Sequence, residues 1–410
     1  MRDFKSIQDI LGKIPDIKKA YLIGCTGAGK TSLVQHIIGS KKHEFPITAH
    51  SRTTTTPTEY VFQKDKPFKT TIILKKLEDI SCSIEELIQN AILKAKENEG
   101  SIEDIVYELE QLPDEHFKLH LMVSSATFKE IAETIKNIVL PLIAKKTIND
   151  ETLFSPPSIQ TEIQQIVVHI LDEIENNFNQ ACGNEHQLFT KDTIVIEGIR
   201  DKDAFILENK RLLSHEFGSI AILADYIRIE GNLLADWLDN DLEFMLIDGE
   251  GIGHSYADKR DTLSARHYDF FNFCNNIILL EDAGKPFTTG GQGAIEWIYL
   301  NGYQNKFNLV FSKADMLAQS DQSAYFRRNI NNLKSALKKD NIDFKIENKD
   351  SYKLKGLNHQ EISDSSKDAI QKLLLSISQA QESALIPLEY DFNLLLSNFN
   401  SDAAIDAIQD

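Results

Sequence analysis

One short segment near the N-terminus carries the clearest chemical signal in this chain. Residues 24–31, Gly-Cys-Thr-Gly-Ala-Gly-Lys-Thr, match the pattern G-x-x-x-x-G-K-[ST] in full. In such a loop the glycines allow backbone N–H groups to turn towards phosphate oxygens, and the helix that follows adds the positive end of its dipole. The segment therefore predicts a site for the phosphates of a nucleotide.

The side chains of this phosphate loop have separate expected parts. Lys30 is placed to reach the β- and γ-phosphate oxygens, and the Thr31 hydroxyl is placed to bind Mg²⁺. Cys25 is expected to contribute backbone geometry rather than thiol chemistry. The residues predicted to bind the nucleotide here are Gly24, Cys25, Thr26, Gly27, Ala28, Gly29, Lys30, Thr31 and Ser32.

Two later apolar runs each end in a short polar motif. Residues 244–251 end in D-x-x-G, with Asp248 and Gly251, and residues 308–315 end in S-K-x-D. A carboxylate such as that of Asp315 can accept two hydrogen bonds side by side from the N1 and N2 donors of guanine, which adenine does not offer. The apolar stem of Lys313 would cover the ring of the base.

Taken in this order, the motifs resemble those of the P-loop GTPase superfamily, in its Ras-like and translation-factor-like forms. The resemblance covers residues 1–80 and 190–385. It implies GTP or GDP and Mg²⁺ as cofactors, with Asp248 holding the metal through water and the Gly251 amide sensing the γ-phosphate. Ser312 stands where the family has Asn or Thr, which implies some loss of base selectivity. Dynamin-like and septin-like relatives dimerise across the nucleotide, so a homodimer or a protein partner is expected.

The family also has a first switch loop and a fifth, base-contacting loop. Residues 52–57, Arg-Thr-Thr-Thr-Thr-Pro, precede a predicted strand and occupy the place of the switch loop, whose threonine binds Mg²⁺ and the γ-phosphate. Four consecutive threonines leave the register open between Thr55, Thr56 and Thr54, and an ordinary extended loop is the alternative. The fifth loop is expected near residues 348–351, where the sequence gives little support.

Catalysis of hydrolysis has no obvious residue in the usual place. Many relatives have a Gln directly after D-x-x-G, whereas this chain has Ile252. His254 is a candidate to polarise water, and Arg52 is a candidate arginine finger from the same chain. The alternatives are a surface histidine and a solvated arginine. Slow intrinsic hydrolysis is the prediction.

The elements that must position these motifs alternate between strands and helices. Such alternation predicts an α/β fold, a mainly parallel sheet flanked by helices. Residues 81–189 have a long-helix character and are predicted to form an inserted helical module, while residues 386–410 form a C-terminal tail. The last strand is predicted at residues 343–347 and the last helix at 366–384. Residues 1–19 are predicted to form a short amphipathic helix.

Composition excludes several classes of protein. The chain has 410 residues, 44 Lys and Arg against 62 Asp and Glu, and a formal net charge of −18. This balance argues against a nucleic-acid surface, because phosphate neutralisation needs clustered cations. No apolar run is long enough for a membrane span and no secretory signal is visible, so a cytoplasmic location is expected. The four cysteines are widely spaced and predict no zinc or redox pair.

Two other functions remain open from the sequence. An ATPase or nucleotide-dependent kinase would make the S-K-x-D segment coincidental. A nucleotide-bound scaffold that does not hydrolyse would explain Ile252 after D-x-x-G. Nucleotide titration separates the first alternative from a GTPase, and single-turnover measurement with Mg²⁺ separates the second.

Overall fold

The structure is a computed structural model that places most of the chain. It describes residues 2–14, 17–41, 43–46, 56–98, 100–111, 118–144, 153–183, 188, 190–214, 216–252, 263–317 and 322–379.

A nine-stranded sheet forms the centre of the molecule, with the strand order β4-β3-β5-β2-β6-β1-β7-β8-β9. The strands are β1 (Lys18–Ile23), β2 (Thr58–Phe62), β3 (Lys69–Leu74), β4 (Thr193–Ile196), β5 (Ala224–Gly231), β6 (Phe244–Asp248), β7 (Asn276–Asp282), β8 (Phe307–Ser312) and β9 (Tyr352–Lys353).

Most neighbouring strands in this sheet are parallel. The run β6-β1-β7-β8-β9 is parallel throughout, and β2 pairs with β5 in parallel. Antiparallel pairing joins β2 to β6, β3 to β5 and β3 to β4. The predicted α/β class, with a mainly parallel sheet flanked by helices, is confirmed.

Helices cover both faces of the sheet, as the near-continuous apolar strands require. Along β1, Ala20 and Leu22 join one buried cluster, while Tyr21 and Ile23 join the cluster on the opposite face. The helices are α1 (Phe4–Leu11), α2 (Lys30–Ile38), α3 (Leu77–Asn98), α4 (Ile102–Gln111), α5 (Ser125–Thr134), α6 (Leu140–Ala144), α7 (Pro157–Cys182), α8 (Lys202–Leu213), α9 (Ala265–Phe273), α10 (Thr289–Leu300), α11 (Gln322–Lys339) and α12 (Asp364–Ser378).

The helices α3 to α7 lie between β3 and β4 in the chain, and we refer to these five helices as the helical module. Because β3 and β4 are antiparallel neighbours, the chain leaves and returns to the sheet at adjacent points. Leu74 N donates to Asp192 O across 2.9 Å at these points. Arg2 binds both of them, since its guanidinium donates to Leu74 O and to the Asp192 carboxylate.

The ends of the chain differ from the sequence prediction. Residues 343–347 form no strand; Phe344 is buried there and its ring packs against Tyr299 at 5.2 Å. The last strand is β9, two residues long, beside β8. At the other end α1 is short, because Gly12 takes a positive φ of 75° directly after it.

No helix within the described ranges combines the length and the apolar character needed to cross a membrane.

Candidate nucleotide-binding site

The motif residues meet at one edge of the sheet, where parallel strands end. Leu22 of β1 is in register with Asp248, the last residue of β6. Asp282, at the end of β7, is in register with Ser312, at the end of β8. The phosphate loop, the D-x-x-G segment and the S-K-x-D segment therefore lie at neighbouring strand ends, the usual ligand position in open α/β sheets.

The phosphate loop needs glycine at three positions for different reasons. A Cβ on Gly24 would lie 2.3 Å from the backbone oxygen of Leu280, so the adjacent strand excludes a side chain there. Gly27 and Gly29 have positive φ values of 76° and 96°, a region that side chains disfavour. The resulting turn brings the chain directly into α2 at Lys30.

Lys30 is buried at the base of this loop. Its ammonium group donates to Gly24 O across 2.8 Å, and the residue is 6% exposed. Burial lowers its pKa, against the opposing effect of the Asp248 carboxylate. Burial disfavours the charged form of this ammonium group. A polyanion that binds beside it would stabilise the charged form in place of the missing water.

Thr31 and Asp248 come together although their motifs are far apart in sequence. The Thr31 hydroxyl donates to Asp248 Oδ2 across 2.8 Å, and Asp248 is 1% exposed. Both groups supply hard oxygen donors, which Mg²⁺ prefers, and usually only one or two carboxylates hold it in phosphate sites. The donor set therefore fits the predicted magnesium ion.

The segment after Asp248 packs against β1 and the phosphate loop. A Cβ on Gly249 would lie 2.4 Å from the Tyr21 ring, so only glycine fits there. Ile252 N donates to Gly24 O across 3.1 Å. The Ile252 side chain is fully buried, so it is a core residue and cannot orient water.

The S-K-x-D segment is braced by neighbouring strands. Ser312 is fully buried and its hydroxyl donates to Glu281 O across 3.2 Å, which supplies bracing in place of the amide that Asn would bring. The Lys313 ammonium pairs with Asp282 Oδ2 at 2.7 Å. Asp315 Oδ1 accepts from Gly356 N at 2.8 Å, and its Oδ2 lies 3.8 Å from His359 Nε2.

The loop beside Asp315 is not the one expected from the sequence. Residues 348–350 form a 3-10 turn before β9. The loop that follows the last strand begins at Leu354, and it is its Gly356 that contacts Asp315. Residues 348–351 therefore precede the last strand instead of following it, because that strand lies later in the chain than the apolar alternation indicated, and their contact with the base stays a prediction.

The switch-loop residues are only partly described. Thr56 is buried and its hydroxyl donates to Ala224 O across 3.2 Å, so in this structure it joins the segment before β2 to the start of β5. Arg52, Thr54, Thr55 and His254 lie outside the described residues. Their predicted roles remain predictions.

A buried acid beside the phosphate loop was not anticipated. Glu281 is 3% exposed, its Oε2 accepts from Phe287 N at 2.8 Å, and burial raises its pKa to about 8. A Cβ on Gly291 would meet its Oε1 at 1.9 Å, so α10 needs glycine there.

The Cys25 thiol lies 3.1 Å from Thr288 Oγ1, and burial raises its pKa. Cys25 is therefore a protonated packing group at neutral pH.

The start of α9 also contributes residues that no motif marks. Arg266 pairs with Asp225 and lies near Glu250 of the D-x-x-G segment. His267 accepts from Ser264 N through Nδ1 at 3.1 Å, which places its proton on Nε2. Burial lowers the His267 pKa to about 4, so the ring is neutral at physiological pH. Only the fold brings these side chains to the site.

Comparison with known proteins gives structural neighbours alone. No family model matches the sequence, and no curated protein matches it. Two solved structures of an oligomerised bacterial dynamin pair, described as a mechanism for the long-range sensing and tethering of membranes, are similar in fold. They share 14% and 15% identity with TM-scores of 0.36 and 0.41. The alignments cover 96% and 99% of this chain but only 39% and 53% of those chains. The function proposed below therefore rests on the residues of the site.

Proposed function

We propose that this chain binds GTP and GDP with Mg²⁺ and hydrolyses GTP slowly as a molecular switch. The observation that carries the proposal is the meeting of three groups at one sheet edge: the buried Lys30, the Thr31–Asp248 pair and the Asp315 carboxylate. Each has the chemistry for a different part of the same ligand.

The phosphates would lie on the phosphate loop. Backbone N–H groups between Gly24 and Lys30 and the N-terminus of α2 supply donors and positive potential there. Lys30 adds a full charge in an environment where little water competes for it. Because the chain has a net charge of −18, this attraction has to be local.

Thr31 and Asp248 would hold Mg²⁺, which neutralises charge on the β- and γ-phosphates when bound. Their hydrogen bond of 2.8 Å keeps the two oxygens on the same side of the phosphate loop before any ligand arrives. Of the three predicted candidates for the switch threonine we favour Thr55 and Thr54, because the hydroxyl of the third, Thr56, is already engaged with Ala224 O.

The base would lie against the S-K-x-D segment. Asp315 keeps acceptor capacity beyond its bond to Gly356 N, since a carboxylate has about four lone-pair directions. Guanine N1 and N2 donors match that capacity and adenine does not. Leu354–Gly356 is the proposed fifth loop, because its chain runs directly beside Asp315.

A second candidate function is a nucleotide-bound scaffold that does not hydrolyse. The buried Ile252 favours it, since the position that commonly carries a water-orienting side chain is part of the core. Under either function the nucleotide state would act on the helical module between β3 and β4, and through it on a protein partner or a second copy of the chain.

Titration calorimetry of the full chain tests the proposal, with GTP, GDP and ATP in Mg²⁺ and again in excess chelator. We expect tight guanine-nucleotide binding that weakens without Mg²⁺, and about 100-fold weaker binding in Lys30→Ala. Lys339→Ala, an exposed lysine of α11, is the matched control and is expected to bind normally.

The outcomes separate the candidates. Tighter binding of ATP than of GTP would overturn the guanine assignment, and no binding of either would overturn the whole proposal. Single-turnover hydrolysis below about 0.01 per second is expected for a switch without its partner. If no hydrolysis is measured, the result favours the second candidate, a nucleotide-bound scaffold.

A further inference from the structure

The first turn of α9 contacts the D-x-x-G segment from a different part of the chain. Ser264 Oγ lies 3.5 Å from Glu250 Oε2, and Arg266 Nη1 lies 3.9 Å from Glu250 Oε1. The side chains of Arg266 and Glu250 are only 10% and 14% exposed. Water and salt therefore screen this attraction much less than they screen a surface pair.

Arg266 is itself fixed by a second carboxylate. Its Nη2 donates to Asp225 Oδ1 at 2.7 Å, and its Nη1 donates to Asp225 O at 3.2 Å. Asp225 belongs to β5 and is 2% exposed. The guanidinium thus has a fixed position and orientation. If Glu250 moved away, Arg266 would stay with Asp225 and the attraction to Glu250 would be lost.

The same short segment is held at its other positions. The Tyr21 ring leaves room for no side chain at Gly249. Ile252 N is bonded to Gly24 O, and its side chain is buried in the core. Glu250 and Ile252 are the two neighbours of Gly251, so their contacts restrict the backbone on both sides of Gly251.

We infer that Arg266 is a positioning residue for triphosphate recognition. Through Glu250 it orients the Gly251 N–H towards the place of the γ-phosphate, and it thereby sets how strongly the chain prefers GTP to GDP. The inference rests on the proposed function and deepens it, because it assigns nucleotide discrimination to a side chain outside every motif.

The physical reason is the cost of ordering. When Glu250 is released, residues 249–251 sample more conformations. Binding of a triphosphate then requires these residues to become ordered, at a cost in conformational entropy. A diphosphate has no γ-phosphate to contact Gly251, so its binding does not require this ordering. A ligand can shift this loop only by its differential affinity for the ordered state, so the loss falls on GTP alone.

Glu250→Gln is the first test variant, because replacing Arg266 would leave the buried Asp225 carboxylate without its cation and would destabilise the fold for that reason alone. Glu250→Lys is the second, since it places two cations together. Glu208→Gln is the matched control: it weakens another arginine–glutamate pair, the exposed one with Arg211 on α8. Affinities for GDP and for a non-hydrolysable GTP analogue are measured in Mg²⁺, together with thermal unfolding.

We expect the preference for triphosphate over diphosphate to fall about tenfold in Glu250→Gln and further in Glu250→Lys, with GDP affinity within twofold of the original protein. The control is expected to keep both affinities. An unchanged preference, or an equal loss for both nucleotides, would overturn the inference and leave the proposed function standing. If the original protein binds neither nucleotide, the proposed function fails first and the inference fails with it.

Discussion

The Thr31 hydroxyl donates a hydrogen bond of 2.8 Å to Asp248 Oδ2, which joins the start of α2 to the end of β6. The two residues are 217 positions apart, and the whole helical module lies between them in the chain. Two motifs that are separate in sequence thus form one site only after the central strands have assembled.

Asp315→Asn is expected to weaken GTP binding about 10- to 100-fold. An amide presents one acceptor and one donor, so its NH₂ group would face a donor of guanine. Xanthosine triphosphate is expected to bind better than GTP, because the oxygen at its C2 can accept a hydrogen bond from the Asn NH₂ group. Calorimetry with both nucleotides measures the change.

The fold of the Asp315→Asn variant is expected to survive, because the amide oxygen can still accept from Gly356 N. Asp343→Asn, whose side chain is 85% exposed in its pair with Lys345, serves as the control. If Asp315→Asn kept its original preference for GTP, the base assignment would be wrong.

Gly24→Ala and Gly27→Ala are expected to have unequal effects. The Cβ at position 24 would lie 2.3 Å from a backbone oxygen of β7, so the strand or the loop must move, at about 1–3 kcal/mol or more. At position 27 no atom of the residues that the structure describes lies within 4 Å of the added Cβ, so the positive φ is the unfavourable feature there, at about 1 kcal/mol. Urea unfolding at equilibrium compares the two variants. Equal losses would contradict the proposed cause.

Arg228→Ala is expected to lower the free energy of unfolding by about 3–5 kcal/mol. Arg228 and Glu59 are an almost fully buried ion pair, and Arg228 also donates to Leu11 O and Gly12 O at the end of α1. Its removal leaves a buried carboxylate without its cation. Urea unfolding gives the difference.

Lys64→Ala provides the comparison for this variant. Lys64 pairs with Asp241 where both side chains are at least half exposed, so its loss is expected to cost no more than about 1 kcal/mol. A cost for Arg228→Ala as small as that of Lys64→Ala would show that α1 is not held through this pair.

The contribution of Glu281 to the stability of the protein is expected to fall as pH rises from about 4.5 to about 8. Its pKa is raised from 4.5 to about 8 by burial, so in this range the folded chain holds a proton that the unfolded chain has lost. More protons on the folded state means that stability decreases with rising pH, by up to about 1.4 kcal/mol per unit.

Glu281→Gln removes this titration while it keeps an acceptor for Phe287 N. The variant is expected to be more stable than the original protein at pH 8, with the advantage shrinking towards pH 4.5. Urea unfolding at several pH values measures it, with the exposed Glu361→Gln as the control. Parallel pH profiles for E281Q and the original protein would contradict the assignment.

The motif residues could be predicted from the sequence because each motif is local. A glycine-rich turn between a strand and a helix has the same meaning wherever it lies, and β1, α2, β6 and β8 form where their apolar runs predict them. The carboxyl ends of parallel strands share one edge, so the pattern also predicts that Thr31, Asp248 and Asp315 lie at that edge.

Arg266, Tyr21 and Glu281 could not be predicted, because their partners come from other elements. Arg266 acquires its role from Asp225 on β5 and from Glu250 after β6. The false strand at residues 343–347 has a related cause. Its alternating apolar residues do pack inwards, as Phe344 does against Tyr299, but among the described residues the segment pairs with no strand. Alternation indicates which side chains are buried and does not indicate backbone pairing.

The position of the helical module has a consequence for the entropy of folding. Since β3 and β4 are antiparallel neighbours, they form a hairpin whose connecting loop is residues 75–192. Closing a loop of roughly 120 residues costs about 3 kcal/mol more than closing one of five, because closure entropy grows with the logarithm of length. The contacts of Arg2 with Leu74 and Asp192 lie at the mouth of this loop. These contacts hold the two ends of the long loop together and so offset part of its closure entropy. The N-terminal segment thus stabilises the pairing of two strands that lie far from it in the sequence.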